Sequence, residues 1–309
     1  MADTQPGTTR LRDLQFRLEY LALRAVVGVV RAIPLDVAVR MSAATWRTLA
    51  PFLARKRHQR AMENLAVAFP DLSIARRKAI ALAHWANLGR VMAETMQLDR
   101  IITDPDRILV KNAHVFARYH GKLGPAVGIS LHMGNWELAV WPLTALGTRP
   151  AAIYRSVNNP YVDQYLRDQR ADLYPSGLFG RGKVEGDHGE SQRTARLITD
   201  FVRKGGRLGL VCDLYDRTGI PVPFFGREAR TQAIGAMIGR RVGARVWLAR
   251  CVRLGDESRF EVEVKELRVP RTANQSEDVR WMMQAMQEQF EVWIAEYPEQ
   301  WMWSNRRWS

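Results

Sequence analysis

The chain has 309 residues, 47% of them hydrophobic, and a formal net charge of +14. That length carries one large domain or two small ones with a sizeable core. Two cysteines, Cys212 and Cys251, are too few for a disulfide framework, and no Cys/His spacing suggests zinc. The basic excess points to an anionic partner: nucleic acid, an anionic membrane surface, an acidic carrier protein or a phosphorylated substrate.

The ten tryptophans fit a membrane–water interface, which Trp favours. No signal-peptide cleavage pattern is present, and both cysteines lie in apolar runs, so a reducing, cytosol-facing setting is expected. From Leu11 the pattern is helical, with Leu14, Leu18, Leu21, Ala25 and Val29 on one stripe. A spanning helix needs about 20 apolar residues. Arg24 and Arg31 interrupt this one, and Pro34 ends it. Three readings fit: a helix in the membrane interface with Arg17, Arg24 and Arg31 along one side, an ordinary core-packed helix, or a single span. A second helix is expected over 35–53. The basic run 55–60 that follows suits anionic headgroups or a solvated helix face. Residues 1–60 are expected to form an N-terminal helical membrane-anchoring segment ahead of one further domain over 61–309. Within that domain the helical pattern continues to Phe69, and Ser73 caps a helix to about Leu98. Ala81, Trp85, Leu88, Met92 and Met96 make its buried face, with His84 and Glu94 as structural or solvated residues.

From Ile108 strands alternate with helices. Strands are expected over 126–131, 151–154, 207–212 and 244–252. The alternation of Phe260, Val262 and Val264 with charged residues marks an edge strand. Helices are expected over 136–146, 161–170, 191–204 (capped by Ser191), 231–243 and 276–296 (capped by Ser276). Residues 175–190, with His188, and 216–226 read as loops. The fold class is α/β, a mostly parallel central sheet flanked by helices.

The chemistry centres on residues 127–137. A buried strand ends at His132, Gly134 and Asn135 turn the chain, and Glu137 follows in a helix. The carboxyl ends of strands are where ligands bind in open α/β sheets. A His there can take a proton near neutral pH, and a carboxylate can orient its ring, so His132 and Glu137 are the candidate base and its partner. No Ser or Cys nucleophile is needed if an acceptor hydroxyl itself attacks an activated acyl group. Arg155 and Asp213 also follow strands, so in a parallel sheet they gather on the same edge. Arg155 also reads as a surface ion-pair residue, and Asp213 as a turn former.

The motif His-Met-Gly-Asn-Trp-Glu at 132–137 resembles the signature of the late lipid A biosynthesis acyltransferases. These lauroyl/myristoyl transferases belong to the lysophospholipid acyltransferase superfamily. The resemblance covers nearly the whole chain: Leu18-Glu-Tyr-Leu, Asn64-Leu with Ala68-Phe-Pro70, Asn87-Leu-Gly-Arg90 with Glu94, Tyr154-Arg155 with Asn159-Pro160, Asp163 and Arg170, Val222-Pro-Phe-Phe-Gly226, and Pro298-Glu-Gln-Trp-Met-Trp303 with Arg306-Arg307. It implies a glycerolipid-acyltransferase-like fold with a membrane-docking N-terminal segment, working at the cytoplasmic face of a bacterial inner membrane in lipopolysaccharide biosynthesis. The enzyme would move an acyl chain from acyl carrier protein, or acyl-CoA, to a hydroxyl of a phosphorylated glycolipid, with His132 as base and Glu137 orienting it. Arg155, Asp213, Asn135 and Arg170 would contact substrate or support the site. Arg155, or backbone N–H groups at the start of the Glu137 helix, would meet the oxyanion. No cofactor, metal or nucleic acid is implied. The chain departs from the family in having Asn305 where a His commonly precedes the Arg pair, and in the length of 175–190. Rival readings are a glycerophospholipid acyltransferase, whose Asn-His-x4-Asp and Glu-Gly-Thr blocks are missing, an acyltransferase of mannosylated phosphoinositides, and a non-catalytic basic protein binding membrane or nucleic acid.

Overall fold

The computed structural model describes residues 6–117, 123–181 and 188–308. Five helices come first: α1 Pro6–Ala32, α2 Leu35–Leu53, α3 Arg55–Ala68, α4 Ile74–Thr95 and α5 Leu98–Ile102. The α/β part then runs β1 Ile108–Val110, α6 His114–Ala117, β2 Ala126–Ser130, a 3₁₀ turn Trp136–Val140, α7 Trp141–Ala145, β3 Pro150–Arg155, α8 Pro160–Asp168, β4 Leu178–Arg181 and α9 His188–Arg203. It continues with β5 Arg207–Val211, β6 Tyr215–Phe224, β7 Arg227–Thr231, α10 Ile234–Val242, β8 Arg245–Arg253, β9 Phe260–Leu267 and α11 Gln275–Glu296.

Seven strands form one sheet in the order β1-β9-β8-β2-β5-β3-β4, and β6 pairs with β7 in a separate ribbon. Every neighbouring pair in the large sheet is parallel except β8 with β9. The expected mostly parallel sheet flanked by helices is therefore present. Central strands are buried on both faces, which is why they read as continuous apolar runs. Val127 and Ile129 of β2 and Val246 and Leu248 of β8 enter a core with α9, α10 and α11. The alternate residues Trp247 and Cys251 of β8 enter a second core on the opposite face, with α2 and α5. β9 is not the edge, because the three-residue β1 covers its outer side.

Several expectations need correction. Residues 216–226 are not a loop but most of the β6–β7 ribbon. Pro221 and Pro223 hid the strand, and a two-stranded ribbon tolerates their missing N–H groups. Part of 175–190 is β4, and the remainder, 182–187, lies outside the described residues. The helix expected from Ser191 starts at His188, and α11 is capped by Asn274, whose side chain accepts from the N–H groups of Ser276 and Glu277. Ser73 caps α4 as expected, accepting from Arg76 N–H. The buried face of α4 is rotated from the expected one. His84, Trp85, Asn87 and Glu94 are inside, while Met92 is exposed.

No described helix is long and apolar enough to cross a membrane. α1 packs on the rest of the protein through polar and aromatic groups. Tyr161 O–H donates to Asp13, Asn159 Nδ2 donates to Glu19, Arg17 lies over the Tyr161 ring and Arg24 over the Tyr165 ring. Arg31 makes a fork to Asp99 at 2.7 and 2.8 Å. The sevenfold arginines thus share a side, and that side faces the protein. The leucines Leu11, Leu14, Leu18 and Leu21 point outward, each more than half exposed.

Candidate active site

His132 follows β2, Asp213 follows β5 and Arg155 ends β3, and these are three adjacent parallel strands. The gathering of strand-end residues on one edge is therefore as the topology rules require. Its internal pairing differs from the sequence expectation. The carboxylate on the imidazole is Asp213, whose Oδ1 lies 2.7 Å from His132 Nδ1. Its Oδ2 accepts from the backbone N–H of His132 at 2.8 Å and from the indole Nε1 of Trp301 at 2.7 Å. Asp213 is fully buried. Burial raises its pKa, but the charge and hydrogen bonds of His132 and the Trp301 donor outweigh that and hold the carboxyl below the usual carboxylate range. In the neutral tautomer that donates Nδ1–H to this carboxylate, the imidazole presents Nε2 as its free lone pair. Nε2 has no hydrogen-bond partner among the described residues, and the side chain is 20% exposed. Trp136 packs edge-on against the ring, 5.1 Å between centroids.

Glu137 does not touch His132. Its carboxylate takes a bidentate fork from Arg170 at 2.5 and 2.8 Å. Burial opposes the charge on Arg170, but Glu137 more than offsets this and raises the guanidinium above its ordinary range. Asn135 is buried and donates from Nδ2 to Glu94 at 3.0 Å. Glu94 is itself buried and clamped by Arg253 and Ser258. Arg155 is exposed at the end of β3. Two strand spacings separate it from β2, roughly 10 Å, so a molecule lying along the sheet edge could reach both. The segment carrying Glu137 is a five-residue 3₁₀ turn that runs straight into α7, so the expected helix over 136–146 is present but begins as 3₁₀.

The loop 132–135 is held by the C-terminal segment. His132 C=O accepts from Met302 N–H, Gly134 N–H donates to Gln300 C=O, and Met133 bridges Trp301. Gly134 has φ +56°, and a Cβ there would sit 2.0 Å from the Cys251 carbonyl, so only glycine fits. The sequence offered no spacing signal for Trp301, which lies 88 residues from Asp213. The one clue was the block 298–303, whose Trp301 and Trp303 are buried.

No Ser or Cys is hydrogen-bonded to His132 among the described residues. Burial pushes the Cys251 thiol up to about 12, which removes it as a nucleophile near neutral pH. The described residues contain no metal-ligand cluster. What the dyad can do is take a proton from a hydroxyl brought to Nε2.

The model of the family described as bacterial lipid A biosynthesis acyltransferase matches residues 5–309, nearly the whole chain. The chain belongs to this family. It is therefore an acyltransferase of the lipid A biosynthesis type, and His132 is a strand-end histidine in an acyltransferase fold. No curated protein matches the chain.

Proposed function

We propose that this acyltransferase moves a fatty acyl chain from a thioester to a hydroxyl of a phosphorylated lipid A precursor, with His132 as general base. The observation that carries this reading is the His132–Asp213 pair at the carboxyl edge of the sheet, with Nε2 unengaged. The acceptor hydroxyl gives its proton to Nε2 as its oxygen attacks the thioester carbonyl. The tetrahedral intermediate collapses with cleavage of the C–S bond, and the departing sulfur takes the proton back from Nε2. Asp213 fixes the tautomer and stabilises the imidazolium, the part a triad carboxylate plays. Trp301 and the His132 N–H keep that carboxylate from rotating. Glu137 with Arg170, and Asn135 with Glu94, hold the loop in place without touching substrate. Arg155 meets the oxyanion or a substrate phosphate, to both of which its fork is suited.

The outward leucines of α1 lie in the membrane interface, together with Phe52 and Leu53 at the end of α2 and the basic start of α3. Exposed large apolar side chains of this kind suit an interaction face, and the Arg and Lys that follow Leu53 suit anionic headgroups. The site then works at the cytoplasmic face of the inner membrane. The donor is acyl carrier protein or acyl-CoA, and the +14 charge steers either one. Purified protein in mixed micelles is tested with acyl carrier protein thioester, acyl-CoA and a tetra- or penta-acylated precursor. Thiol release coupled to ester formation, lost in His132→Ala, supports the reading. Thiol release without ester formation contradicts it.

A further inference from the structure

A cleft of about 510 Å³ opens between α2, α4 and the turn joining β8 to β9. Small side chains line part of it, Ala43 and Ala44 of α2 and Ala83 and Ala86 of α4. Its walls carry four arginines, Arg40, Arg47, Arg90 and Arg253, against two carboxylates, Asp256 and Glu299. Arg40 and Arg47 are seven residues apart, two turns along one face of α2. Both are exposed and make no hydrogen bond or ion pair among the described residues.

Internal ion pairing accounts for only part of this charge. Arg253 is neutralised by Glu94 behind the wall, at 2.5 and 2.8 Å. Arg90 reaches Asp256 at 2.9 Å, but that carboxylate is 83% exposed and well screened. The Nε groups of Arg90 and Arg253 are buried donors without a partner among the described residues. Burial first, then the neighbouring cations Arg253 and Arg47, lower the pKa of Arg90 against the pull of Asp256 and Glu94. Cations are thus gathered around a concavity at a cost that the packing does not demand. An anion inside it would offset that cost.

We propose that this cleft binds a phosphate group carried on a larger molecule, held by Arg40, Arg47 and Arg90. Its volume falls in the range of small-ligand sites, with room for what the phosphate is attached to. Two wall residues also grip the loop after His132. Asn87 Nδ2 donates to Gly134 C=O at 3.2 Å, and Gln300 C=O accepts from Gly134 N–H. The bound phosphate therefore lies one layer of residues from that loop. The proposal does not depend on acyl transfer, because it concerns binding alone.

The test uses the full chain in detergent, titrated calorimetrically with inorganic pyrophosphate and with glucosamine 1-phosphate. A parallel arm measures cosedimentation with phosphatidylcholine vesicles with and without phosphatidic acid. Arg40→Ala/Arg47→Ala removes two exposed, unpaired cations, and an unchanged thermal transition shows that the fold is kept. Loss of two charge-assisted contacts weakens binding about a hundredfold. Arg241→Ala/Arg280→Ala, a control of equal charge on α10 and α11, leaves binding within about twofold, as distant exposed charges are screened. Saturable binding of the soluble probes, weakened only by the Arg40/Arg47 pair, supports a site for free phosphate esters. The same pattern confined to phosphatidic acid vesicles supports a lipid headgroup as the source. Absence of binding in every arm, equal loss in the control, or full retention in Arg40→Ala/Arg47→Ala overturns the proposal.

Discussion

Asp213 and Glu137 stand in different positions toward His132, and substitution separates them. Asp213→Asn keeps the shape but loses the anion that fixes the imidazole tautomer, so kcat is expected to fall about a thousandfold or more. Glu137→Gln breaks a largely buried pair with Arg170. It is expected to cost about 3 kcal/mol of stability, with a smaller loss of activity per folded molecule. Steady-state kinetics with chemical denaturation on both variants decides the matter, and the reverse order of activities would contradict the assignment. His132 itself was legible in the sequence, because a buried apolar run ends on it and a Gly-Asn turn follows. Its carboxylate was legible only as a neighbour: Asp213 stood among the strand-end residues of the same edge, but the motif offered Glu137 as the partner of the ring. Glu137 is five residues away and in the motif, whereas Asp213 is 81 residues away and reaches the ring only because β5 lies beside β2.

Among the elements, β2, β5 and β8 could be read because strands buried on both faces give unbroken apolar runs. β6 could not, since its prolines at 221 and 223 signal a loop to any local reading. The amphipathic pattern of α1 was equally plain, but periodicity does not say which face meets the protein. Here the aromatic and charged face packs on α8 and α5, and the leucines remain outside. Leu14→Glu/Leu18→Glu/Leu21→Glu is therefore expected to leave the thermal transition in place. Each leucine withdrawn from lipid forfeits about 2 kcal/mol. The share of protein in the membrane pellet should accordingly drop more than about tenfold. Unchanged pelleting would remove α1 as the docking element.

For the molecule as a whole, acid stability depends on a group away from the reacting atoms. His84 is buried, and burial lowers its pKa to about 3, against the pull of the Trp301 carbonyl that accepts from it. The unfolded chain, with His near its ordinary value, then binds the extra proton first. Stability is full above about pH 6.5 and is lost as pH falls toward about 3, by about 1.4 kcal/mol per unit in that window. Denaturation midpoints at pH 7.5 and 5.5 should differ by that order in the wild type, and by distinctly less in His84→Gln. Equal differences would show that other groups dominate. The central claim is the transfer of an acyl chain by the His132 dyad. Its most direct measurement is the mass of lipid A from a bacterial strain lacking its own late acyltransferase and expressing this chain or His132→Ala. The wild type should add the mass of one acyl chain and His132→Ala none, with both proteins folded and present in the membrane fraction. An unchanged acyl count with the wild type, or the same gain with His132→Ala, would contradict the account.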